Sequence, residues 1–197
     1  MDREMEFNVA QLMKEGIGGK RSHEFGTPEL VLSEALAGDP AALVARAVHG
    51  TVKLTGLRGQ VRAVGTVAAQ AELLCSRCLE PFVQPVEAAL DELFRQTIDV
   101  VSGHAIKDEV ADDDDSEAFQ IDHNHILDLT EPVRQTLLVA LPMSPLHHED
   151  CRGLCPTCGT NLNLGACDCP TEDLDPRLSA LSLLLHSSDD AAGPAHS

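Results

Sequence analysis

From His147 to Cys169 the chain reads H-H-E-D-C-R-G-L-C-P-T-C-G-T-N-L-N-L-G-A-C-D-C, and no other stretch constrains the fold as tightly. Five of the seven cysteines fall there: Cys151, Cys155, Cys158, Cys167 and Cys169. A segment this poor in large apolar side chains cannot build its own core, so a bound metal is the expected organiser. The Cys155-Pro156-Thr157-Cys158-Gly159 step has the form of a zinc knuckle, in which two thiolates three residues apart converge on one ion. Gly159 permits the close turn that aims backbone N–H groups at sulfur. The remaining cysteines, Cys75 and Cys78, form a separate C-S-R-C step.

Seven cysteines do not fill two tetrahedral sites, but His147 and His148 lie just before Cys151 and either supplies an eighth ligand. The expected division places Cys155, Cys158, Cys167 and Cys169 around one ion, with Cys75, Cys78, His147 and Cys151 around a second. A single-site alternative uses Cys151, Cys155, Cys158 and Cys167. Four thiolates, or three with an imidazole, suit closed structural zinc rather than catalytic zinc, which keeps a position open for water; four thiolates also suit an iron–sulfur cluster. A competing reading makes Cys75-Ser76-Arg77-Cys78 a thiol oxidoreductase or redox-sensing pair, with Arg77 lowering a thiol pKa. The thioredoxin-type context, a C-x-x-C at a helix N-terminus in a β-α-β unit, is missing from the pattern. Phosphate-loop, dinucleotide, G-x-S-x-G and H-E-x-x-H motifs are also missing, so no catalytic residues and no small-molecule substrate are expected.

The rest of the chain supplies the scaffold. Val61, Ala63, Gly65, Val67, Ala69, Ala71 and Leu73 form the clearest alternating face, the signature of a half-buried strand. A strand with Val44, Val48, Val52 and Leu54 precedes it, and another opens at Pro81-Phe82 and extends towards Leu93. Short turns between them predict an antiparallel β-meander, with Cys75 and Cys78 exposed in its second turn. Near the start, Phe7, Val9 and Leu12 suggest an edge strand and a short helix, and a further short helix is expected over Glu29–Ala37. Thr130 is placed to cap a helix opening with Glu131 and Pro132, whose Val133, Leu137, Leu138 and Leu141 share a face. Asp175-Pro176 opens a last helix, with Leu178, Leu181, Leu184 and Leu185 as its apolar stripe.

The fold class expected is α+β: an antiparallel meander, a few packed helices and a small C-terminal zinc-knuckle lobe. Its parts are a mainly β section over 1–107, an acidic linker over 108–118, a helical segment over 119–146, the cysteine-rich lobe with its helix over 147–186, and a frayed tail over 187–197. Asp112 to Asp115 form the centre of the linker and read as solvated; a calcium loop would alternate its ligands and include a glycine.

Charge sets the partner class. The formal net charge is −18, and without the seven acids between Asp108 and Glu117 it is still −11. Such a chain favours a basic protein partner over naked nucleic acid. Lys53, Arg58, Arg62, Arg77 and Arg152 are a thin basic set that could form a small RNA-contacting patch, or serve only as solubilising charges. The start shows no signal-peptide pattern and no stretch is long and apolar enough for a membrane span, so a cytoplasmic location without membrane contact is expected.

Four ordered motifs carry a resemblance. C-S-R-C-L-E-P-F at Cys75–Phe82, then L-D-L-T-E-P-V-R-Q-T-L-L-V-A-L-P, then D-C-R-G-L-C-P-T-C-G-T-N-L-N with C-D-C, and finally D-P-R-L-S-A-L together resemble the YceD family, the large ribosomal RNA subunit accumulation proteins. The resemblance runs from about Leu54 to Leu185. It implies a cytoplasmic, non-enzymatic ribosome biogenesis factor supporting accumulation or processing of 23S ribosomal RNA, with that RNA, a pre-ribosomal particle or a basic ribosomal protein as partner. Many relatives carry cysteine where this chain has His147, which implies that the histidine is a replacement ligand. Some relatives lack most of the C-terminal cysteines, so the resemblance does not make metal binding the family's common activity.

Overall fold

The computed structural model describes residues 5–33, 43–100, 102–104, 106 and 119–169. The acidic linker, the helix expected from Asp175 and the tail lie outside the described residues. The chain divides into two compact units, residues 1–151 and 152–197.

The first unit is mostly sheet. In order it contains β1 (Glu6–Asn8), α1 (Ala10–Glu15), β2 (Lys20–Ser33), β3 (Leu43–Leu57), β4 (Gln60–Leu74), β5 (Pro81–Gln96), β6 (Phe119–Ile121), β7 (Ile126–Asp128) and α2 (Thr130–Ala140). A five-stranded sheet runs β2-β3-β4-β5-β6, and β1 pairs with β7 in a separate ribbon. The pairs from β2 to β5 are antiparallel, while β6 joins β5 in parallel.

Alternation explains the central strands. On β4, Val61, Ala63, Val67, Ala69, Ala71 and Leu73 are all buried, while Arg62, Val64, Thr66, Gln70, Glu72 and Leu74 face solvent. Val48, Val52 and Leu54 of β3 and Val86, Leu90 and Phe94 of β5 are buried with them. Arg58-Gly59 closes the β3–β4 hairpin, and Gly59 supplies the positive φ of 69° that such a tight loop needs. Mid-sheet, the two strands approach too closely for side chains. A Cβ on Gly65 would fall 1.9 Å from the Thr51 carbonyl oxygen, and one on Gly50 would fall 2.3 Å from that of Thr66.

Helix α2 lays Pro132, Val133 and Leu137 into the core against β5 and β2. Leu138 does not share that face: it is exposed, and Leu141 is only partly buried. Nor does Thr130 cap the helix. The cap residue is Leu129, and the Asp128 carboxylate accepts the Thr130 N–H at 2.8 Å. The helix expected from Glu29 is strand instead. Residues Glu29–Ser33 complete β2, because Leu30 and Val31 pair with Ala45 and Val44 and Leu32 is buried, a period of two that outweighs local helix preference. Residues 34–37 of that expected helix lie outside the described residues.

The second unit has little core. Among its described residues only Gly153 and Cys155 are buried. Its backbone is held by local bonds: Leu162 N–H to the Gly153 carbonyl at 2.9 Å, and Arg152 N–H to Asn163 Oδ1 at 2.8 Å.

Candidate metal centres

The turn from β4 into β5 and the knuckle in the second unit share one backbone geometry. Cys75 N–H donates to the Glu80 carbonyl and Leu79 N–H to the Cys75 carbonyl, both at 2.9 Å. Cys155 N–H donates to the Thr160 carbonyl at 2.8 Å and Gly159 N–H to the Cys155 carbonyl at 2.9 Å. The residue after the second cysteine is left-handed in each: φ is 61° at Leu79 and 74° at Gly159. The sequence announces the second turn with glycine but disguises the first with leucine.

Three contacts bring residues 145–151 onto the first turn. Ser76 N–H donates to the Pro145 carbonyl at 2.8 Å. Arg77 Nη1 donates to the carbonyls of Cys151 at 2.8 Å and Glu149 at 3.2 Å. The side chains of Cys75, Cys78, His147 and Cys151 then converge, with one ligand atom from each lying within 4.8 Å of the others. This covering segment is why Cys75 and Cys78 are buried, at 0% and 4% exposure, and not exposed as the isolated turn suggests. In the second unit Cys155, Cys158, Cys167 and Cys169 gather within the same limit. His148 joins neither group; its ring packs against that of His147, with centroids 3.9 Å apart.

Distances within the first group match a four-ligand site. Metal–sulfur bonds of ~2.3 Å and metal–nitrogen bonds of ~2.0–2.1 Å give tetrahedron edges of ~3.8 Å between sulfurs and ~3.5–3.6 Å between sulfur and nitrogen. Cys75 Sγ lies 3.7 Å from Cys151 Sγ, and Cys78 Sγ lies 3.5 Å from His147 Nδ1. These separations are far beyond a disulfide bond of ~2.05 Å, and all seven cysteines are free. Both clusters could therefore hold metal ions.

The protonation of the sulfurs follows from crowding. Burial pushes the Cys75 thiol up, but hydrogen bonds from the His147 side chain and from the N–H groups of Cys78, His147 and Arg77 together bring it well below its ordinary value. Burial raises Cys78, and sharing protons with Cys75 and Cys151 raises it further. In the second group the N–H groups of Cys158 and Thr157 lower Cys155. The Thr160 hydroxyl, 3.1 Å from Cys158 Sγ, leads the lowering of that thiol. Cys169 is raised, first by its hydrogen bond to Cys158 and then by burial. Each cluster thus sets thiolate-favouring groups beside thiols that keep their protons, an arrangement that a cation would resolve by displacing them.

Of the basic set, Lys53, Arg58 and Arg62 lie towards the β3–β4 hairpin end of the sheet and Arg77 lies at the other end. Arg58 lies in the β3–β4 turn and Arg77 in the β4–β5 turn, at opposite ends of a 15-residue strand roughly 50 Å in contour. Arg62 is bound by both carboxylate oxygens of Asp91, at 2.8 and 2.6 Å, and Arg77 is committed to carbonyls. The role of Arg77 as a clamp left no mark in the sequence. The left-handed Leu79 did leave one, since aligning C-S-R-C-L with C-P-T-C-G puts it in the glycine's place. As for the thiol-redox alternative, the C-S-R-C step joins two strands with no helix start beside it, and both thiols are buried. Among the described residues no helix is long and apolar enough to cross a membrane.

A family model described as "Large ribosomal RNA subunit accumulation protein YceD" matches residues 63–185. Among curated proteins, an uncharacterized protein of Mycobacterium bovis and one of Mycobacterium tuberculosis are each 34% identical over 130 residues, covering 66% of this chain and 58% of theirs. An uncharacterized protein of Mycobacterium leprae is 27% identical over 111 residues, covering 56% of this chain and 47% of its own length. The chain thus spans less than two thirds of the length of the curated relatives it matches. No solved structure matches it.

Proposed function

Since this chain belongs to the YceD family, we propose that it is a non-enzymatic factor of large-subunit ribosome biogenesis, acting in the cytoplasm. It supports accumulation or processing of 23S ribosomal RNA by binding that RNA, a pre-ribosomal particle, a basic ribosomal protein, or more than one of these. The observation that carries this reading is the family match over residues 63–185, a span that includes every member of both cysteine groups.

In this reading the metals are structural zinc, one in each group. Cys75, Cys78, His147 and Cys151 would hold the first, and Cys155, Cys158, Cys167 and Cys169 the second. Four protein ligands leave no position for a reacting water, so zinc there supplies folding energy and not Lewis-acid chemistry. The chain's own part is to present the ligands. The two knuckle turns aim N–H groups at sulfur, and Arg77 and Ser76 hold residues 145–151 where His147 and Cys151 face the turn. The acidic balance of the chain favours a basic protein over bare RNA as the direct contact.

Depletion of the protein followed by sucrose-gradient profiling tests the function. Loss of free and assembled large subunits relative to small ones is expected. An unchanged subunit ratio would overturn the ribosomal reading.

A further inference from the structure

Among the described residues, one face of the five-stranded sheet is uncovered across β2 to β5, and its middle carries a trough of about 650 Å³. Register places Glu24, Thr51, Thr66 and Ala89 in one row across the four strands, and His49, Ala68 and Glu87 in the next. Phe25 and Val67 also border the trough, but their side chains are buried on the opposite face, so the exposed walls come from the two rows. The floor is threonine and alanine; the ends are carboxylates.

Elsewhere on this face the acids are already answered. Arg46 bonds to Glu29 and Glu72, each at 2.7 Å, and Arg62 takes both oxygens of Asp91. Lys53 sits two positions along β3 from Thr51, outside the trough. Among the described residues Glu24 and Glu87 have no ion-pair or hydrogen-bond partner. His49 adds an acceptor. Its Nδ1 lies 2.8 Å from the Ala47 carbonyl, to which a ring nitrogen can only donate. In the neutral ring, Nε2 is then left with a lone pair.

We propose that this trough is a docking site for an extended, basic polypeptide segment of a partner protein. Its ends are negative and have no ion-pair partner among the described residues, its floor accepts the aliphatic stems of lysine or arginine, and it would repel the phosphates of RNA. Glu24 and Glu87 stand three strand spacings and two residues apart, about 16 Å on a sheet with ~4.8 Å between strands and ~3.3 Å per residue. An extended chain advances ~3.3 Å per residue and repeats its facing side chains every second position, so basic residues four apart meet both carboxylates. The proposal specifies partner chemistry within the ribosomal reading and rests on it only for the identity of the partner. Its test reads binding alone, so it can fail while that reading stands.

The test is fluorescence anisotropy with the full chain and a short labelled peptide carrying lysine at every fourth position, with serine and threonine between. The paired variant E24Q/E87Q should weaken binding by about ten-fold or more at moderate salt, while E29Q/E72Q, which removes the same charge from acids already paired, should change it less than about two-fold. Circular dichroism of both variants should match the parent. Equal weakening by the two pairs would reduce the effect to net charge and overturn the proposal. So would no binding by the parent chain, or a single-stranded RNA probe that binds the parent and is competed off by the peptide.

Discussion

Replacing Cys75 and Cys78 together by alanine removes the turn's half of the first proposed metal site while leaving the Ser76 and Arg77 bonds to Pro145, Glu149 and Cys151 in place. The magnitude follows from the loop that the site closes. Cys78 and His147 are 69 positions apart, and cross-linking a loop of that length removes unfolded-state entropy worth about 4 kcal/mol at room temperature. For a unit of 151 residues, each kcal/mol moves the melting midpoint by ~2–4 °C, so a fall of ~8–16 °C is expected. The assay is thermal denaturation followed by circular dichroism in zinc-containing buffer, paired with elemental analysis. The matched control replaces Cys155 and Cys158, whose site spans at most the 14 positions from Cys155 to Cys169 and lies wholly in the second unit. That control should also lose one zinc yet leave the main sheet transition where it was. A Cys75/Cys78 variant melting within ~2 °C of the parent would refute the idea that a metal cross-link stabilises the sheet unit.

Three further outcomes are expected. Arg77→Ala, which removes the donor to the Cys151 and Glu149 carbonyls, should cost ~1–3 kcal/mol in urea denaturation and speed amide exchange in residues 145–151; unchanged exchange there would deny Arg77 its clamping role. Leu79→Gly relieves a left-handed leucine that is 60% exposed, so it should stabilise the sheet unit by up to ~1 kcal/mol despite glycine's entropy; a lower urea midpoint would contradict this. Gly65→Ala puts a Cβ 1.9 Å from the Thr51 carbonyl oxygen and should cost ~3 kcal/mol or more, read as lost soluble yield or a much lower midpoint; a near-parental midpoint would show that β3 and β4 are not so closely apposed.

The parts of this molecule that were legible in its sequence are those where one periodicity dominates. β4 alternates from Val61 to Leu73 with Val64 and Ala68 as apolar outward positions, and burial follows the pattern at Val61, Ala63, Val67, Ala69, Ala71 and Leu73. The cysteine groups were legible too, because sulfur spacing is a local constraint that survives any fold. The structure places Cys75, Cys78, His147 and Cys151 near one another, and likewise Cys155, Cys158, Cys167 and Cys169, with His148 in neither group. What stayed hidden depends on partners distant in sequence. Glu29–Ser33 has helix-tolerant residues, and only its pairing with β3 makes it strand. Cys75 and Cys78 read as exposed because nothing in C-S-R-C shows that residues 145–151 will cover them. Arg77 read as a surface cation for the same reason. The trough on the open face was invisible because it is written across four strands at once, through which acids find an arginine and which do not.

Native mass spectrometry of the purified chain, set against the same sample after denaturation, reads the bound metal directly. Two zinc ions per chain are predicted, with the first group's ion lost on replacing Cys75 and Cys78 and the second group's retained. A fully folded chain with no zinc in the Cys75, Cys78, His147 and Cys151 group would contradict the account, because the turn between β4 and β5 would then be held to residues 145–151 by hydrogen bonds alone.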